Sequence, residues 1–236
     1  MASIVLGQGW SIGDLFLLVA VLNAGVAVFI YTQAPEFVLR FCAWVLVHTL
    51  YRIKVRGRAN IPDSGPALLV CNHVSYVDAL VIGGLIGRPV LFVLYYNNFE
   101  SQLLRWLFSI AGVVPIASAK ENPDMLAAAY ERIDQLLVRG EVACIFPEGR
   151  LTSSGAMSAF KPGVEKILNR RPVPVVPMAL SGLWGSFFSR KPGLLRHIPK
   201  PLVHRVTLSV GAAVAPGDAD AAMLEARVAE LAAASD

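Results

Sequence analysis

From Leu15 to Tyr31 the chain reads LFLLVAVLNAGVAVFIY, apolar throughout except for Asn23. As a helix this run rises about 26 Å, the lower limit for spanning hydrocarbon. The preceding flank, MASIVLGQGWSIGD, has no basic residue and holds Asp14, which argues against a secretory signal. Pro35 breaks the run, and a second one, FVLRFCAWVLVHTLYR, follows at 37–52. Arg40 and His48 would be costly at mid-bilayer, so this second segment is expected in the interface. Trp44, Tyr51 and Arg52 are residue types that suit a headgroup boundary. The pattern therefore predicts two domains: membrane-docking helices over 1–51, and a folded domain over 52–236.

Within 52–236 the period changes. IKV (53–55), ALLVC (67–71), PVLFVLY (89–95), VVPI (113–116), EVACIFP (141–147), PVPVVPMAL (172–180) and HRVTLSVG (204–211) read as strands. ALLVC is wholly apolar, as expected of a strand covered on both faces. Helical patterns fall between them, at 76–86, 103–112, 162–169 and 218–234. Another is predicted after Asn122-Pro123, an N-cap followed by proline at the first helical position. It carries Met125, Ala129, Ile133 and Leu136 at helical spacing, and Gly140 ends it. Strands alternating with helices predict an α/β fold with a mostly parallel sheet flanked by helices.

Composition agrees with an apolar setting. Of 236 residues, 55% are hydrophobic and 16% charged, with a net charge of +4. An anionic membrane surface or nucleic acid would each suit that excess. The apolar leader points to the membrane rather than to nucleic acid. From Lys166 to Gly217 there is no Asp or Glu. Lys166, Arg170, Arg171, Arg190, Lys191, Arg196, Lys200 and Arg205 lie there, interleaved with Trp184, Phe187, Phe188, Leu194, Leu195 and Ile198. Each basic residue near an anionic leaflet contributes about 1 kcal/mol. Cys42, Cys71 and Cys144 lie apart in apolar stretches and read as buried free thiols.

Two stretches carry candidate chemistry. CNHVSYVD (71–78) puts His73 and Asp78 just past a buried strand, at the end where open α/β sheets place their sites. Such a carboxylate can accept from the imidazole Nδ1–H and leave Nε2 free to take a proton. Asn72 and Ser75 supply capping and orienting groups. By spacing alone the pair also fits half a metal site or an ordinary turn. The remaining histidines, His48, His197 and His204, lack ligand spacing, so no metal is expected. No G-x-S-x-G elbow is present. The second stretch, FPEGRLTSSG (146–155), again follows a buried strand. Pro147 and Gly149 shape a turn, Glu148 and Arg150 project charge, and turn N–H groups can bind an anion.

Together these stretches resemble the glycerolipid acyltransferase family. NHVSYVD matches its N-H-x-S-x-x-D motif at Asn72, His73, Ser75 and Asp78. FPEG matches its third motif at Phe146, Pro147, Glu148 and Gly149, and VPM (176–178) its fourth, with Pro177 the typical residue. The resemblance covers roughly residues 50 to 215. It implies a glycerol-phosphate acyltransferase-like fold, with His73 as general base and Asp78 as its orienting partner. It implies direct transfer of an acyl group from acyl-carrier protein or coenzyme A to a lysophospholipid hydroxyl, with no acyl-enzyme intermediate and no further cofactor. Glu148 and Gly149 would bind the acceptor's glycerol or head.

Two departures concern the acceptor. The phosphatidate-forming branch carries G-x-x-x-I-x-R, whereas GVVPIAS puts Ser118 at the arginine position and Lys120 two further on. That branch also reads E-G-T-R-S, where this chain has EGRLT with Arg150. EGRLTSSG is similar to 2-acyl-glycerophosphoethanolamine acyltransferases, and MALSGLWGSFFSRK to acyltransferase domains linked to lysophospholipid transporters. The expected function is thus lysophospholipid O-acylation at the cytoplasmic membrane face, in phospholipid remodelling. Phosphatidate formation and a lipid-binding module without chemistry are the alternatives.

Overall fold

The structure, a computed structural model, describes residues 11–33, 35–96, 102–186, 189 and 204–235. The chain divides into two compact units, Met1–Arg40 and Phe41–Asp236.

In the first unit, helix α1 (Ile12–Gln33) has no buried residue. Its first turn is closed reciprocally: the Ser11 N–H and hydroxyl both donate to Asp14 Oδ2, at 2.9 and 2.7 Å, and the Asp14 N–H donates back to Ser11 Oγ at 3.2 Å. This is the capping-box arrangement, and it removes the most costly orphan donors. Phe16, Leu17, Leu22, Phe29 and Ile30 are exposed. The helix is long and apolar enough to cross a membrane. Helix α2 (Pro35–Leu50) follows, and on it Trp44 stacks near His48, with ring centroids 4.4 Å apart.

Among the described residues, the second unit is built on seven strands: β1 (Tyr51–Arg56), β2 (Ala67–Cys71), β3 (Val90–Tyr95), β4 (Val114–Ile116), β5 (Val142–Ile145), β6 (Val175–Ser181) and β7 (His204–Val210). Their order is β1-β7-β6-β2-β5-β3-β4. All neighbours are parallel except β6 and β7. The expected mostly parallel α/β sheet is therefore present, with β1 and β7 reversed. Strand β2 sits at the centre, every residue of ALLVC fully buried. Leu69 and Cys71 enter one core with Val81 and Ile82 of α3 (Asp78–Leu85). Leu68 and Val70 enter the other. That second core is completed by α5 (Pro123–Val138), α6 (Gly163–Arg170) and α7 (Ala221–Ala233). Helix α4 (Gln102–Ile110) lies between β3 and β4 in sequence. Asn122 caps α5 as its sequence predicts, accepting from Met125 N–H at 2.9 Å.

Some expectations change. Tyr51 belongs to β1 and is buried in the core rather than placed at a headgroup boundary. Cys71 and Cys144 are buried thiols, pushed up by burial, but Cys42 is exposed. In the basic stretch, Arg171 forks onto Asp134 at 2.8 and 3.2 Å, and Arg170 faces Glu131 and the Tyr130 ring. These two arginines are committed to protein partners. Residues 187, 188 and 190–203 of that stretch lie outside the described residues.

Candidate active site

The two motifs meet because β2 and β5 are parallel neighbours, in register from Ala67 opposite Val142 to Val70 opposite Ile145. Both chains leave the sheet at the same end. The Asn72–Val77 turn and the Phe146–Arg150 turn therefore emerge side by side, the placement expected of open α/β sheets.

His73 is fixed by backbone as well as by side chain. Its N–H donates to Glu148 Oε1 at 2.7 Å, and its carbonyl accepts from Thr152 N–H at 3.1 Å. The imidazole Nδ1 lies 2.8 Å from Asp78 Oδ2 and stacks on Phe146, with centroids 4.4 Å apart and planes 20° from parallel. Facing an ionised carboxylate, which only accepts, Nδ1 would carry the proton and leave Nε2 a lone pair. The His73 side chain is 16% exposed while that of Asp78 is 0% exposed. The imidazole faces outward and its carboxylate partner is sealed below it. Asp78 Oδ2 also accepts from Val74 N–H at 2.6 Å and Ser75 N–H at 2.9 Å. Three donors on one oxygen hold the carboxylate rigidly.

Asn72 does not face the site. Its amide bonds Leu180 of β6 twice, donating to the carbonyl at 3.0 Å and accepting from the N–H at 2.8 Å. It ties the start of the turn to the neighbouring strand. Ser75 is fully buried, and its Oγ accepts from Val77 N–H at 3.4 Å. Val77, not Ser75, occupies the N-cap of α3. Glu148 is 2% exposed, and its second oxygen accepts from Ser158 N–H at 2.7 Å. Burial pushes its carboxyl up from the usual range, and the His73 and Ser158 N–H groups pull it down less. Glu148 thus clamps two backbones, and both its oxygens are occupied. Gly149 has φ 64°, a left-handed conformation that favours glycine, and its N–H closes the turn onto Phe146 carbonyl at 3.0 Å. Arg150 is exposed.

Ser118 and Lys120 belong to the loop after β4, at the sheet edge. Ser118 is tied to Glu121, its N–H and hydroxyl donating to Oε2 at 3.1 and 2.6 Å. Tyr95 hydroxyl donates to the other oxygen of the same carboxylate. Lys120 is exposed. Neither joins the His73 cluster through a hydrogen bond among the described residues.

Sequence reasoning missed Thr152, Ser158 and Lys161. Lys161 N–H donates to Pro147 carbonyl at 2.9 Å, and its side chain lies along Gly149. A serine or threonine that offers only its backbone leaves no trace in a residue pattern. Lys161 is visible only as the charged residue of AFKPG, just before α6.

A model of the acyltransferase family matches residues 52–181, spanning both motifs. The chain belongs to the acyltransferase family. A chloroplastic 1-acyl-sn-glycerol-3-phosphate acyltransferase of Arabidopsis thaliana is 29% identical to it over 163 residues, covering 69% of this chain and 45% of that one. The human 1-acyl-sn-glycerol-3-phosphate acyltransferase alpha is 31% identical over 158 residues, covering 62% and 53%. The chain spans about half the length of the curated relatives it matches. The crystal structure of the 1-acyl-sn-glycerophosphate acyltransferase of Thermotoga maritima superposes with a TM-score of 0.64 at 20% identity, covering 83% of this chain and 77% of that one. At that identity the likeness is one of fold.

Proposed function

We propose that the protein transfers a fatty acyl group from a thioester of coenzyme A or acyl-carrier protein to the free hydroxyl of a lysophospholipid. One observation carries this reading: a partly exposed His73 whose Nδ1 is 2.8 Å from a sealed Asp78 carboxylate, at the mouth of two adjoining strand ends. His73 Nε2 takes the acceptor's hydroxyl proton as that oxygen attacks the thioester carbonyl. The carbon–sulfur bond then breaks, and the imidazolium returns its proton to the leaving thiolate. Asp78 holds the tautomer and stabilises the imidazolium. No cofactor beyond the thioester enters the scheme. The names of the relatives favour 1-acylglycerol 3-phosphate as acceptor, making phosphatidate. Remodelling of a headgroup-bearing lysophospholipid is the second reading, favoured by Ser118 standing where phosphatidate-forming enzymes carry arginine. Exposed apolar α1 supports action at a membrane surface.

The test is release of free thiol when the membrane-reconstituted protein meets an acyl thioester and a panel of lysophospholipids. His73→Ala should lower it by about 10²–10⁴-fold while the protein stays folded and membrane-bound. A lipid-binding module without chemistry would release no thiol with any acceptor. Headgroup preference within the panel decides between phosphatidate formation and remodelling.

A further inference from the structure

We propose that the Lys161 ammonium, held over the turn at Gly149, is the cation that receives the phosphate of the lysolipid acceptor. The inference rests on the reading of this site as a lysophospholipid acyltransferase centre. A lysoglycerophospholipid with a free 2-hydroxyl carries its phosphate on the neighbouring glycerol carbon. An anion-binding group is therefore needed beside the general base. The position from which the family resemblance leads one to expect that charge is filled by Ser118, whose N–H and hydroxyl are both spent on Glu121.

Lys161 is placed by backbone, independently of its own charge. Ser158 N–H is held by Glu148, Phe160 N–H donates to Glu225 at 2.8 Å, and Lys161 N–H donates to Pro147 at 2.9 Å. The segment is thereby stitched to the same turn that holds His73 N–H through Glu148. From there the lysine stem runs across Gly149. A Cβ built on Gly149 would lie 2.7 Å from Lys161 Nζ and 3.2 Å from Cε. The ammonium thus sits one residue from Glu148, and glycine leaves the room it occupies.

Its charge is not spent on an ion pair among the described residues. Glu148, the carboxylate closest in sequence, has both oxygens on backbone N–H groups. Glu121 is held below the usual carboxylate range chiefly by Ser118 and Tyr95, with a smaller pull from Lys161. The loop carrying Ser118 and the turn carrying Gly149 thus share an electrostatic neighbourhood. Arg150, the other basic side chain of the motif, makes no hydrogen bond or ion pair that would aim it, among the described residues.

The experiment compares wild type, Lys161→Met, Lys161→Arg and Arg150→Met, full-length and reconstituted, with lysophosphatidate and with phosphate-free monoacylglycerol as acceptors. Charge-assisted hydrogen bonds support an expected rise of about tenfold to a hundredfold in the lysophosphatidate KM of Lys161→Met. The thioester KM should stay unchanged, and Lys161→Arg should recover most of the loss. Arg150→Met should change the acceptor KM less than Lys161→Met. An unchanged lysophosphatidate KM in Lys161→Met, or an equal loss with monoacylglycerol, overturns the proposal. Lysophosphatidate binding to His73→Ala protein, with and without Lys161→Met, separates the two levels of inference. If wild type transfers nothing yet binding depends on Lys161, the catalytic reading fails and the phosphate site stands. If binding ignores Lys161, the phosphate site fails whatever the turnover.

Discussion

Two carboxylates lie buried beside His73, and they do different work. Asp78, on the turn after β2, reaches the imidazole and two N–H groups with one oxygen. Glu148, on the turn after β5, uses one oxygen on each of two backbones. One holds the ring, while the other fixes where the ring's backbone stands. Near-complete burial is common to both. What separates them is the partner, an imidazole ring together with peptide N–H groups in one case and peptide N–H groups alone in the other.

The largest effect that would break this contrast is at the ring itself. His73→Ala should lower thiol-release turnover by about 10²–10⁴-fold, the range for a positioned general base. A smaller loss would remove the reason for assigning Asp78 a chemical role. Asp78→Asn keeps an oxygen acceptor and the volume but loses tautomer control. It should cost about 10²-fold or more in kcat with little change in thermal midpoint.

Glu148→Gln should behave differently, as a geometric defect. One of its two N–H partners then faces an amide NH₂ and loses its acceptor. Unfolding measurements should show a loss of about 1–3 kcal/mol, and turnover should fall less than in Asp78→Asn. The pH slope sharpens the point. Burial raises the Glu148 carboxyl in the folded state. Its contribution to stability is therefore greatest below the ordinary glutamate range and is lost as pH rises through its raised value. Glu148→Gln should flatten that slope in urea titrations run from pH 4 to pH 8.

The smallest effect is expected at a third carboxylate, far less buried. Arg171 holds Asp134 below its usual range through a forked contact between α5 and the end of α6. The sign is opposite to that of Glu148: the contribution is present above the ordinary aspartate value and lost as pH falls through the lowered one. Asp134→Asn should leave turnover unchanged and produce a small stability loss at neutral pH that vanishes in acid.

Much of the architecture was legible because it is written in short-range periodicity. The strands and helices predicted between residues 53 and 234 are present, with ends shifted by a few residues. ALLVC announced its burial through unbroken apolarity, and Asn122-Pro123 announced a helix start through capping chemistry. The His73–Asp78 contact was legible for the same reason, since both ends lie within one turn. Glu148 was read as a headgroup ligand because a sequence shows its charge and not its partners. The structure spends both its oxygens on His73 and Ser158 N–H groups. Asn72, expected to supply a capping or orienting group, orients the turn by turning its amide to Leu180 of β6. Tyr51 was assigned to a membrane boundary by residue type, while pairing with β7 draws its strand into the core.

The sequence by itself determined the elements, the apolar leader and the His73–Asp78 contact, because each depends on contacts within a few residues. The tertiary structure decided that β2 and β5 lie side by side, and hence that FPEG meets NHVSYVD at all. It also decided that Glu148 clamps His73, that Ser118 is spent on Glu121, and that Lys161 lies over Gly149. Those outcomes depend on strand order and on which buried N–H finds which oxygen. Both are settled by long-range pairing and burial, and local pattern does not encode either.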